Sequence, residues 1–124
     1  MLVANLTHDF FKHILSPDNA YLYATLNAAG RVIAFALATN KVVESVKTGS
    51  AARSLDISAD GSALYVVNYT SDTLVKVRSS DFKILQKIKV CNEPIGVTYE
   101  RLQKRVWVAC YGGSIKVFSD SPPQ

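Results

Sequence analysis

Chemistry usually needs clustered donors, and this chain offers few. His8 and His13 are its two histidines. They stand five apart, with no cysteine or carboxylate at the spacing that a metal ion requires. Serine, histidine and acid never assemble into a nucleophile motif. Gly112-Gly113 reads as a hairpin turn and not as a phosphate cradle. Asp18 and Asp60 each follow a serine by two residues, where a carboxylate caps a turn with its side chain. The one tight basic run, RLQKR (101–105), lacks the interleaved aromatics that stack nucleic-acid bases. On residue types alone, no catalytic group, metal set, cofactor or nucleic-acid surface is expected.

The bulk numbers suit one globular domain. The chain has 124 residues, 48% hydrophobic and 19% charged, too apolar to stay disordered. Its net charge of +4 is a mild excess. No apolar run approaches the roughly 20 residues of a transmembrane helix. The start, MLVANLTHDF, lacks the basic region and long apolar core of a secretory signal. The chain therefore either stays inside the cell or is a segment of something longer, and its compartment is left open.

The elements that must position these residues come from a repeat. An offset of 42 places Ser16 on Ser58, Asp18 on Asp60, Leu22 on Leu64, Tyr23 on Tyr65, Lys41 on Lys83 and Val46 on Ile88, without a gap. A second step places Val106 on Leu64, Trp107 on Tyr65 and Tyr111 on Tyr69. One deletion in the next loop then brings Ile115 onto Leu74. Each unit reads as four strands, a to d, at 54–58, 63–69, 73–78 and 83–90 in the second. SADGS, YTSD and SSD supply the turns between them. No segment has a helical period. The fold class expected is all-β, with four short antiparallel strands in each unit of about 40 residues, as in a β-propeller blade.

The sequence resembles the YVTN repeats, whose pattern includes S-P-D-G-x-x-L-Y-V-T-N. GSAARSLDISADGSALYVVN (49–68), NEPIGVTY (92–99) and TNKVVESVKTG (39–49) follow it. VWVACYGGSIKVF (106–118) is also similar to a tryptophan–aspartate repeat, without that family's Gly-His and Trp-Asp marks. The resemblance implies a partial propeller over 1–124: blade one at 12–49, blade two at 54–90, and blade three at 96–119 lacking its outer strand. Pro122 and Pro123 would stop a strand there. Residues 1–7 fall where a strand d belongs, a closing outer strand or a leftover of a longer chain. About three blades make an incomplete ring, since closed propellers have roughly four to eight.

Propellers of this kind bind ligands at the face carrying the d–a and b–c loops. Here the residues entering strand a are Phe11, Arg53 and Ile95, and the b–c loops bring Tyr69, Asp72 and Tyr111. Arg53 is the leading candidate to hold an anionic ligand or partner, because its fork matches a carboxylate. His13 aligns with Leu55 and Val97 and is expected in the core. Trp107 is expected to be buried like Tyr65. Cys91 ends a strand d and Cys110 a strand b, both toward one end of the assembly. A disulfide is sterically conceivable, and two free thiols are the alternative. Asn5-Leu6-Thr7 and Asn68-Tyr69-Thr70 fit the glycosylation acceptor pattern.

The function this implies is a non-catalytic interaction or scaffold module that binds a protein partner or a second copy of itself, including a six-bladed homodimer. The alternative is a fragment of a propeller enzyme or cofactor-binding protein, lactonase-like, quinoprotein-like or haem-binding. The resembled family is often extracytoplasmic.

Overall fold

The computed structural model describes residues 1–2 and 5–120. Eleven strands form three antiparallel sheets, and no helix occurs among the described residues. The first sheet holds β1 (Phe10–Leu15), β2 (Tyr21–Leu26), β3 (Arg31–Ala36) and β4 (Lys41–Lys47) in chain order. The second holds β5 (Ala52–Ile57), β6 (Ala63–Asn68), β7 (Thr73–Arg78) and β8 (Ile84–Lys89). The third has β9 (Pro94–Glu100), β10 (Arg105–Cys110) and β11 (Ile115–Ser119), with β10 in the middle. β1, β5 and β9 lie side by side as the innermost strands. The strand boundaries differ from the sequence reading by two residues or fewer at each end.

The turns are held by their own side chains, as Ser and Asp hydroxyls and carboxylates can do. In the second sheet Ser58 Oγ donates to Asp60 Oδ1 at 2.8 Å, and Ser62 N donates to the same oxygen at 3.0 Å. The first sheet repeats this with Ser16, Asp18 and Ala20. In the third, where ERLQKR replaces the motif, Glu100 accepts from the amides of Leu102 and Gln103 instead. The bonds from the Ser62 amide, then those from the hydroxyls of Ser62 and Ser58, hold the Asp60 carboxyl at about 2.

Sheet stacking makes the core, and β6 is buried at every position because it is covered on both faces. Leu64 and Val66 join Tyr23, Val32, Ala34, Leu55, Val75 and Val77 between the first and second sheets. Tyr65 and Val67 join Leu74, Val97, Val106, Val108 and Cys110 between the second and third.

Two expectations of burial fail for one reason. Tyr23 faces the second sheet and Tyr65 the third, so both are covered, at 4% and 2% exposure. Trp107, their equivalent, points beyond the third sheet, where no further sheet stands, and is 40% exposed. His13 has the mirror problem. Its equivalents Leu55 and Val97 each face the preceding sheet, whereas His13 faces outward and is exposed. A repeat equates positions, but burial needs a neighbour. Among the described residues no strand precedes Phe10, so residues 1–2 and 5–7 of the candidate closing strand are unpaired here. Residues 3–4 of that segment, and the prolines expected to stop a fourth strand, lie outside the described residues.

Leu64→Ala should destabilise the protein by about 2–5 kcal/mol in urea unfolding, whereas Leu85→Ala on the exposed outer strand should change it by about 0.5 kcal/mol or less. Acid should act through Asp60. Its folded pKa is depressed, so its stabilisation is present above the free-aspartate value and is lost as pH falls toward 2. Urea midpoints of Asp60→Asn and wild type should therefore differ at pH 6 and converge between about pH 4 and pH 2.

Candidate functional site

One backbone bond recurs in all three sheets and fixes the loop end. The residue after each strand b donates its amide to the carbonyl of the loop entering strand a. The pairs are Asn27 to Asp9 at 3.1 Å, Tyr69 to Ala51 at 2.8 Å and Tyr111 to Glu93 at 2.9 Å. Donors and acceptors are each 42 apart, so the repeat places a chosen side chain at the same spot on every sheet.

At the middle sheet that spot is occupied by Arg53. Its guanidinium carbon lies 3.9 Å from the centroid of the Tyr69 ring and 4.9 Å from that of Phe11, contributed by β1 of the first sheet. Two rings thus hold one cation by its faces, a favourable contact for a guanidinium. Its Nε is buried and has no hydrogen-bond partner among the described residues. The described ion pairs are Lys76–Asp120 and Arg78–Asp81, so no described carboxylate neutralises Arg53. An unpaired, positioned fork has the chemistry to receive a carboxylate.

Glu93 is the neighbour that sequence reasoning missed. It sits in the left-handed region, at φ 55°. Its amide donates to Asp72 Oδ1 at 2.8 Å and its carbonyl accepts from Tyr111. The Glu93 carboxylate beside the Tyr69 hydroxyl pushes that phenol above its ordinary value. Asp72, at φ 60°, also accepts from Val90 N through its carbonyl. It serves as a brace for the loop.

The structure therefore brings Phe11, Arg53 and Tyr69 into direct contact, with Asp72 and Tyr111 joined to them through Glu93. Tyr111 is exposed. Ile95 lies on the wall of an open hollow of about 440 Å³ with Lys12, Gly96, Trp107 and Ile115. His8 packs edge-on against Phe10 and stays exposed. Cys91 and Cys110 are joined as a disulfide, Cα to Cα 6.2 Å, across the second and third sheets. Asn68 is fully buried and bonded to Thr48 and Thr73, so as a glycosylation acceptor it is inaccessible in the folded chain. Asp120, also unforeseen, reaches into the groove between sheets to accept from Lys76 Nζ at 2.8 Å and from the Tyr65 hydroxyl. Burial first, and then that carboxylate, push the Tyr65 phenol up.

A family model described as the cytochrome D1 heme domain matches residues 6–111. Hydrazine synthase of Kuenenia stuttgartiensis superposes with a TM-score of 0.87 at 26% identity, covering 97% of this chain and 35% of that one. The dihydro-heme d1 dehydrogenase NirN in complex with DHE gives 0.71 at 22% identity, covering 89% and 28%. The RRP9 WD40 repeats give 0.84 at 13% identity, covering 94% and 37%, a likeness of fold alone. This chain thus spans about a third of the length of these solved chains. No curated protein matches it.

Glu93→Gln removes the charge that raises Tyr69. Spectrophotometric titration should show one phenol moving to lower pH relative to wild type, and the change should vanish in a Tyr69→Phe background.

Proposed function

The chain belongs to the cytochrome d1 heme domain family, and from that premise we propose that it is a ring-completing propeller segment that presents a carboxylate-binding seat at Arg53. The observation that carries the ring-completing part is Trp107. It is 40% exposed at the repeat position where Tyr23 and Tyr65 are covered by the next sheet. Ile115 and Val117 of β11 are exposed as well. β3 and β7 each pair an outer strand, whereas residues 115–118 of β11 pair β10 alone among the described residues. An apolar face beside an open edge calls for a further blade.

The occupant we favour is a second copy. Two chains of three blades make six, a usual ring size, and residues 1–6 of each fall at the register of a strand d for the other's β11. The repeats themselves read as YVTN-type. This makes the primary role one of assembly and binding.

The family's haem supports a second reading, that the completed ring holds a cofactor. The described residues fit the carboxylate edge of such a group and not its iron. Arg53 holds its guanidinium against the Tyr69 and Phe11 rings with no described carboxylate paired to it, which suits a carboxylate. Both cysteines are in the disulfide, His13 faces outward from the first sheet, and His8 packs on Phe10. Lactonase-like and quinoprotein-like chemistry have no comparable anchor in the residues described.

Sedimentation velocity on the intact chain decides between occupants. The expected result is a dimer whose Trp107 emission is blue-shifted, turning to monomer or aggregate in Trp107→Asp. A stable monomer with a water-exposed Trp107 would reject self-completion and leave a separate propeller segment as the partner.

A further inference from the structure

The disulfide occupies a position with a history in the repeat. Stepping back 42 residues from Cys91 and Cys110 gives Gly49 and Asn68. In the first repeat that pair is a polar clasp between one sheet and the next. Thr48 Oγ1 donates to Asn68 Oδ1 at 2.9 Å, and Asn68 Nδ2 donates to Thr48 O at 3.2 Å and to Thr73 Oγ1 at 3.0 Å. Gly49 is required there, since a Cβ would lie 2.7 Å from Asn68 Cγ. In the second repeat Val90 stands for Thr48, and Cys91 and Cys110 replace the glycine and the asparagine. No side-chain amide remains to tie the loop to the next sheet. The S–S bond takes over that tie.

The loop so tied is the one that carries Glu93. Left-handed backbone at Glu93 and Asp72, both non-glycine, is tolerated only while the surroundings enforce it. Opening the clasp removes one of those constraints and leaves the loop to the Glu93 amide and carbonyl bonds and the Val90 amide on Asp72 O. The two cysteines differ in exposure. Cys110 is 6% exposed among Val106 and Val108, whereas Cys91 is partly open to solvent.

We propose that Cys91–Cys110 is a thiol-exchange site, a redox clasp that sets the geometry of the Glu93–Tyr69–Arg53 seat. The reductant is a dithiol. Its thiolate attacks Sγ of Cys91, the Cys91–Cys110 bond breaks, and Cys110 leaves with the electron pair and takes up a proton. The second thiol of the reagent then attacks the reagent sulfur of the mixed disulfide, releasing Cys91 as a thiol. One protein disulfide is reduced and one dithiol becomes a cyclic disulfide. With the clasp open, Glu93 leaves its strained conformation and its carboxylate moves away from Tyr69, while the Tyr69 and Phe11 rings still hold Arg53. Loss of that negative charge beside the guanidinium favours an incoming anion, so reduced protein binds a carboxylate more tightly at the seat than oxidised protein does. That last step rests on reading Arg53 as a carboxylate seat; the clasp itself does not.

The test compares intact chain before and after dithiothreitol treatment, with thiols counted by mass spectrometry. Amide exchange at Glu93 and Tyr111 should rise about tenfold or more on reduction, while Leu64 and Val66, between the first and second sheets, stay protected. Glutathione should be trapped on Cys91 and not on Cys110. A triple variant carrying Val90→Thr, Cys91→Gly and Cys110→Asn transplants the polar clasp, with Ser114 in the place of Thr73. It should keep slow exchange and ignore dithiothreitol, whereas Cys91→Ser with Cys110→Ser should behave as permanently reduced. Unchanged exchange on reduction, or loss of protection through all three sheets together, overturns the proposal. Benzoate affinity is read in the same samples and should rise on reduction. If reduced wild type and reduced Arg53→Gln bind benzoate equally poorly, the seat is refuted, and the exchange data still decide the clasp.

Discussion

Each sheet has two faces, and the one sheet covered on both is the middle one. Leu64 and Val66 turn toward the first sheet while Tyr65 and Val67 turn toward the third, so β6 carries both cores along one strand. Everything else hangs on this stacking. It sets β1, β5 and β9 side by side, which in turn brings Phe11 of one sheet over Arg53 of the next. It also sets the distance across which Asn68 reaches Thr48 and Cys91 reaches Cys110. Without it three small antiparallel sheets would each be marginal in water.

Within that frame the repeat keeps the backbone and varies the side chains. The amide of Asn27, Tyr69 or Tyr111 makes the same bond in each sheet, and at Tyr69 an arginine lies beneath the ring. The equivalents of Arg53 are Phe11 and Ile95. Phe11 becomes a wall of the Arg53 seat, and Ile95 a wall of the adjoining hollow. A single substitution at one repeat position thus converts a packing site into a charged one, at the cost of a buried Nε without a partner. The clasps obey the same logic, polar at Asn68 and covalent at Cys110.

The ends of the stack are where the pattern breaks. Trp107, Ile115 and Val117 face outward from the last sheet, and His13 from the first. At the last sheet Asp120 folds back, its amide on Lys104 O and its carboxylate on Lys76, filling part of a groove lined by Gln86 and Phe118. The chain matches the family model over residues 6–111 and covers 35% of the hydrazine synthase chain it superposes on.

Local chemistry was legible in the residues themselves. Alternation in β8, the Ser-x-Asp turns and the 42-residue spacing act over neighbours or through a repeat, so the all-β sheets and most strand limits could be read directly. Arg53, Phe11 and Tyr69 could be named because the repeat equates loop positions. The Glu93 contact could not, because it joins the loop of one sheet to the turn of another, and its signal is a left-handed backbone that glutamate does not announce. Asp120 reaches Lys76 across 44 residues and gives no local sign. Whether Trp107 and His13 are buried depends on the presence of a neighbouring sheet, a property of the assembly that repeat alignment cannot carry. The disulfide was a geometric option in the sequence, and inter-sheet distance made it a bond.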